Sequence, residues 1–239
     1  MSEFASALQT AFAMVVAFDP GLMEIVGLSL QVNFIAVGAA ILVGFPLGAS
    51  ITIFRFPGRK VLSIFLNALM GMPPVVVGLI VYLLLSRAGP FGVLGLLFTP
   101  TAMIIAQFLL ILPIIAALTR QTMEDLWTEY REQLRSLDAT LPQTLTTLLW
   151  EGRFSLSTTV LAGFGRASGE VGAVMIVGGN IDHLTRVMTT AIALEVSKGD
   201  LSLALGLGII LITLSVCVSG AAALMNEFAR RRHQAPMGL

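Results

Sequence analysis

The sequence predicts an all-α membrane protein with about five transmembrane helices per subunit, and three observations carry that expectation. The first is composition: of 239 residues, 56% are hydrophobic and only 12% charged, with a mean hydropathy of +0.90, whereas soluble domains carry about 25% charged residues. The second is a set of uncharged runs at 25–54, 61–86, 88–119 and 201–226, each long enough to supply the about 20 helical residues that cross hydrocarbon. The third is the placement of Lys and Arg. Arg55, Arg59 and Lys60 form one group, Arg120, Arg131, Arg135 and Arg153 a second, and Arg230, Arg231 and Arg232 a third. Five alternating helices put all three groups on one side, and the positive-inside rule makes that side cytoplasmic, with the N-terminus outside and the C-terminus inside.

In chain order, residues 1–24 read as an N-terminal amphipathic segment whose apolar stretch, 12–18, is too short to cross. It lacks a basic region before that stretch, so no removable signal peptide is expected. The transmembrane domain is 25–228, followed by a tail at 229–239. Gly38, Gly44, Pro46 and Gly48 in the first span let helices approach closely. In the second span Pro73-Pro74 removes two backbone donors, so the helix bends or breaks there. Gly89, Pro90, Gly92 and Pro100 are loop signals within the third run. A fifth span, 154–181, is interrupted by Arg166 and Glu170, four residues apart and therefore on one helix face. Charges in a span mark a functional site or a fastening between helices or subunits. Gly178-Gly179-Asn180 is a helix stop whose N–H groups are also suited to touch an anion. Residues 185–194 are apolar but too short to cross.

The segment 120–153 holds ten of the chain's 28 formal charges between long apolar runs. Such an island is where a membrane protein meets a partner in water. Residues 129–138 have high helix propensity and predict a short helix lying across the cytoplasmic ends of the spans. Other chemistry is excluded. The net charge is zero and offers no field for nucleic acid. A single cysteine, Cys217, reads as apolar filler and gives neither disulfide nor metal site. No phosphate-binding loop occurs, and His183 and His233 do not converge on a metal. No constellation of acids, bases or nucleophiles supports an enzyme, and no internal repeat supports a secondary transporter.

Four stretches carry a family resemblance: MPPVVVGLIVYLLLSRAGPFGVLGLLFTPTAMIIAQ at 72–107, EQLRSLDATLPQT at 132–144, FGRASGEVGAVMIVGGNI at 164–181 and TRVMTTAIALEVSKGDLSLALGLGI at 185–209. The chain resembles the permease subunit of a bacterial type I ABC importer of the molybdate/tungstate oxyanion branch, closest to tungstate permeases. The second stretch is similar to the coupling signature Glu-Ala-Ala, three residues, Gly, nine residues, Ile-x-Leu-Pro. Glu132 takes the glutamate, Gln133 and Leu134 replace the alanines, and Asp138 stands where glycine belongs. Leu148 fits the isoleucine, while Trp150 and Glu151 replace Leu-Pro.

The resemblance implies a MetI-like fold with a cytoplasmic coupling helix, in a multi-pass protein of the bacterial cytoplasmic membrane. It implies as partners a second copy of the chain in a homodimer, two ATPase subunits and an extracytoplasmic oxyanion-binding protein, with membrane lipid around the spans and no nucleic acid. ATP and Mg belong to the partner ATPase and no cofactor to this chain. It assigns ATPase coupling to Glu129, Glu132, Arg135, Ser136, Leu137, Asp138 and Ala139. Arg166, Glu170, Gly178, Gly179, Asn180, Thr189 and Thr190 fall on the translocation path or gate. The expected cargo is tungstate, with molybdate, sulfate or another small solute as alternatives.

Overall fold

The computed structural model describes residues 8–9, 12–13, 15–17, 19–54 and 56–234, with the side chains of 222 and 225–234 outside that description. Of the amphipathic segment expected at 1–24, residues 1–7, 10, 11, 14 and 18 therefore lie outside the described residues, as do Arg55 and the tail beyond 234. Among the described residues from Pro20 on there are nine α-helices: α1 (Pro20–Ile53), α2 (Arg59–Met70), α3 (Pro74–Leu85), α4 (Pro100–Ser136), α5 (Leu141–Glu151), α6 (Arg153–Ser168), α7 (Gly172–Gly178), α8 (Met188–Lys198) and α9 (Leu201–Gln234), with a 3-10 turn at Gly92–Leu94. The described residues contain no strand.

Three of these helices, Pro20–Ile53, Pro100–Ser136 and the Leu201–Ala221 part of α9, are long and apolar enough to cross a membrane, and counting each of two broken pairs as one span raises the number to five. The first span starts at Pro20 because Asp19 Oδ1 accepts the Leu22 N–H at 3.0 Å and Pro20 fills the first helical position, where its missing donor costs nothing. The run 61–86 is broken as the proline pair requires. Helix α2 ends at Met70, and Pro73 and Pro74 open α3 as its N-cap and first residue. The run beginning at 88 is loop until Thr99, and α4 starts at Pro100. The second broken pair, α6 and α7, bends by 58°. Cys217 does not fill a core: it lies exposed on α9, a helix whose apolar part is only 17% buried.

Contacts divide the chain into two compact units. In the unit made of 1–36, 73–109 and 165–217, Leu22, Met188, Ala191 and Leu207 form a buried cluster. Helices α3 and α7 touch there at Gly78, where a Cβ would meet the Ala173 Cα at 2.7 Å. In the unit made of 37–72, 110–164 and 218–239, Ala49, Met123, Leu134, Leu148 and Leu156 pack together. There α1 meets α4 at Gly48, where a Cβ would lie 2.5 Å from the Ala116 carbonyl oxygen. At both positions backbone approach excludes any side chain, as small-residue packing in membranes requires.

Candidate functional site

At the break between α6 and α7 the Arg166 guanidinium donates to Glu170 Oε2 at 2.6 Å. The two side chains differ in environment, Arg166 being 30% exposed and Glu170 3%. The other carboxylate oxygen, Oε1, accepts the Ala173 N–H at 3.0 Å, so the negative charge sits against the positive end of α7. Thr189 Oγ1 donates to the Glu170 carbonyl at 2.7 Å. Glu170 thus ties α6, α7 and α8 together, and its burial is compensated by an ion pair and a cap. Beside it, Gln107 Nε2 donates to Asn33 Oδ1 at 3.3 Å and to the Ala167 carbonyl at 3.1 Å. Ser29, Asn33, Gln107, Ser168, Glu170 and Thr189 line a cavity of about 10 Å³, room for about one water. Gln107 Oε1 is buried and has no partner among the described residues.

Gly178, Gly179, Asn180 and Thr190 form a second cluster. Gly179 ends α7 in the left-handed region, φ 71°, and donates its N–H to the Met175 carbonyl, which makes the predicted helix stop a C-cap. Asn180 follows at φ 50° and its Nδ2 donates to the Thr190 carbonyl at 3.4 Å. Thr185 Oγ1 accepts the Ile181 N–H at 2.9 Å and donates to the Gly178 carbonyl at 2.6 Å. The N–H groups of Gly179 and Ile181 are therefore already paired within the protein and do not face an anion. Next to this turn His183 Nδ1 meets Glu24 Oε2 at 2.8 Å. That hydrogen bond, helped by the charges of Glu24 and Asp182, holds the His183 pKa above its ordinary value.

The charged segment 120–153 departs from one expectation. Residues 129–136 are not a separate short helix: Glu129, Glu132, Arg135 and Ser136 lie on the last turns of α4, which runs unbroken from Pro100. Between Pro113 and Pro142 the sequence has neither proline nor glycine, and strong helix formers carry the helix into the charged island. Leu137, Asp138 and Ala139 make the turn. The Asp138 N–H donates to the Arg135 carbonyl at 3.1 Å and the Ala139 N–H to the Leu134 carbonyl at 3.0 Å, a Schellman termination with Asp138 in the left-handed position at φ 49°. The residue standing at the signature's glycine thus holds the conformation for which glycine is usually chosen.

The separate short helix is α5. Gln143 Oε1 accepts the Thr140 N–H at 2.8 Å at its start, and Thr144 and Leu148 form its buried face. An open groove of about 500 Å³ runs between the end of α4 and α5, lined by Tyr130, Gln133, Leu137, Ala139, Gln143 and Thr147 among others. Leu137 is 70% exposed and Trp150 65%, and the Glu132 side chain is 89% exposed.

Sequence reasoning missed Asn33, Gln107 and α5. Two amides inside otherwise apolar spans were the available signal for the first pair. Thr140 followed by Gln143, with Pro142 in the first turn, was the signal for the helix.

A polytopic helical domain with a buried polar break in one unit and an exposed charged turn in the other is the build of a transporter's membrane subunit. The family described as the binding-protein-dependent transport system inner membrane component matches residues 37–231. The chain belongs to that family, and is a multi-pass inner-membrane permease subunit rather than an enzyme. It is 39% identical over 227 residues, 95% of this chain and 100% of the relative, to the tungstate uptake system permease protein TupB of Peptoclostridium acidaminophilum. A probable anion ABC transporter permease protein of Haloferax volcanii is 37% identical, covering 86% of this chain and 91% of the relative. The methionine ABC transporter MetNI, solved in inward-facing conformations, contains a chain that superposes with a TM-score of 0.65 at 16% identity over 87% of this chain and 94% of that one. That likeness shows the MetI-like fold. Membership in the family brings an ATPase and a solute-binding protein as partners.

Proposed function

We propose that this chain is the permease of an ATP-driven importer that carries tungstate across the cytoplasmic membrane. The observation that carries the reading is the end-to-end match, at 39% identity, to a tungstate permease, while a cyanobacterial sulfate permease matches at 26% over 74% of the chain. In this reading two copies enclose the path, each docks one ATPase that holds ATP and Mg, and a binding protein delivers the ion from outside. Arg59, Arg135 and Arg231 are cytoplasmic. The turn Leu137–Ala139 with α5 inserts into the ATPase, so closure of the nucleotide sites moves the helices that carry it. The Glu170 cluster fastens helices rather than holding cargo, since its cavity admits about one water. Selectivity then rests with the binding protein.

Uptake of tungstate, molybdate and sulfate into vesicles holding the reconstituted complex tests this. Tungstate uptake is expected to dominate, and exchange for a molybdate-preferring binding protein of the same branch to change the cargo. Uptake of sulfate alone overturns the cargo. Tungstate selectivity that survives the exchange overturns the placement of selectivity.

A further inference from the structure

Helix α2 has 12 residues, roughly 18 Å of helix, too short for the about 30 Å of hydrocarbon. Its surface falls into three stripes. Leu62, Leu66 and Met70 pack on Ile51, Ala116 and Ala117. Val61, Ile64 and Phe65 stay 70%, 60% and 56% exposed. Arg59, Lys60, Ser63 and Asn67 form the polar stripe between them. A short helix with one seated apolar face, one bare apolar face and a basic edge is built to lie at the boundary between lipid tails and water.

At that basic edge Arg59, Lys60, Ser63 and Arg120 line a cleft of about 510 Å³. Glu124 accepts from Arg59 Nη2 at 2.9 Å and from Arg120 Nη1 at 2.6 Å, so one carboxylate holds two guanidinium groups in place and leaves the cleft cationic. Lys60 is exposed and has no acidic partner among the described residues. Arg120 Nε is likewise without a hydrogen-bond partner. We propose that this cleft binds the phosphodiester headgroup of an anionic phospholipid, with the acyl chains lying along Val61, Ile64 and Phe65. A free oxyanion satisfies the cations equally well but leaves the bare apolar stripe beside them uncovered, which decides for the lipid. Arg59 and Arg120 shape the site through Glu124, and Lys60 supplies the uncommitted charge.

The test uses the full chain purified in a neutral detergent and titrated with phosphatidylglycerol or phosphatidylcholine of identical acyl chains, with bound lipid read by native mass spectrometry. Phosphatidylglycerol is expected to bind more tightly, Lys60→Gln to weaken it about fivefold while leaving phosphatidylcholine unchanged, and Ile64→Ser to weaken both. Equal binding of the two lipids by the unaltered protein overturns headgroup recognition. Displacement of phosphatidylglycerol by millimolar inorganic phosphate makes the site one for free oxyanions and overturns the lipid assignment. Efficient crosslinking between copies at Ile64→Cys, in a Cys217→Ser background, makes the apolar stripe a protein interface and overturns it as well.

Discussion

Around Glu170 the carboxylate and its polar neighbours pair with one another, Gln107 Oε1 excepted, whereas around Leu137 the chain turns apolar and charged side chains outward. The carboxylate is 3% exposed and held by an arginine, a helix end and, through its carbonyl, a threonine; Leu137 is 70% exposed beside an open groove. Both regions carry charge in a chain that has little of it, so charge alone does not distinguish them. Burial and partners do. A buried carboxylate with both oxygens engaged is suited to holding helices together, while exposed groups without internal partners are available to another protein.

Substitutions sharpen this contrast when ranked by loss of folded stability. Arg166→Ala leaves the Glu170 carboxylate buried without its ion pair, and is expected to cost about 3 kcal/mol. The double variant Arg166→Ala with Glu170→Ala is expected to cost less than the two single losses added. Thermal unfolding of all four proteins in detergent measures the coupling, and strictly additive losses would break the comparison on the buried side. Gly78→Val drives a side chain into the Ala173 backbone and is expected to cost about 1–3 kcal/mol, read in the same way.

Asp138→Val forces a β-branched residue into the left-handed turn, at a cost of about 1–2 kcal/mol, while Asp138→Gly is expected to be neutral within about 0.5 kcal/mol. Glu132→Lys, on a side chain 89% exposed, is expected to change stability by less than about 0.5 kcal/mol and yet to remove transport-linked ATPase activity. Full coupling in that variant would place the dock elsewhere.

The smallest effect is at His183, whose pKa is raised by Glu24 and Asp182. The contact contributes fully below the ordinary value of 6.5 and fades as pH rises through the raised value. His183→Gln is therefore expected to lower the melting temperature at pH 6 and to leave it unchanged well into the alkaline range. A constant difference across that range would remove the ion pair from the account.

Much of the fold was legible because lipid imposes few solutions. Uncharged runs marked the spans, Pro73-Pro74 marked a break, and Gly179 marked a helix end, each through a backbone constraint that survives any tertiary context. What stayed hidden depended on tertiary context or on weaker local signals. Asn33 and Gln107 are uncharged, so a search for charges passes over them, and only their meeting across more than 70 residues gives them a role. The helix predicted at 129–138 was placed by helix propensity, which marks helix but not where it begins, and no residue there interrupts α4. Asp19 and Pro20, a cap and a first-turn proline, showed where α1 starts, yet the hydropathy run begins later.

The uninterrupted α4 has a mechanical consequence. Its 37 residues measure roughly 55 Å, and the uncharged stretch from Pro100 to Thr119 accounts for roughly 30 Å of that, the thickness of the hydrocarbon. From Arg120 onward the same helix continues for about 25 Å, with Pro113 as the one place where a missing donor softens it, and it packs Met123 and Leu134 onto Ala49, Leu148 and Leu156. Pushed from its end, this extension would act as a lever arm. A push of a few ångströms at its tip, where Leu137 and Asp138 turn the chain, becomes a tilt of several degrees in the rod.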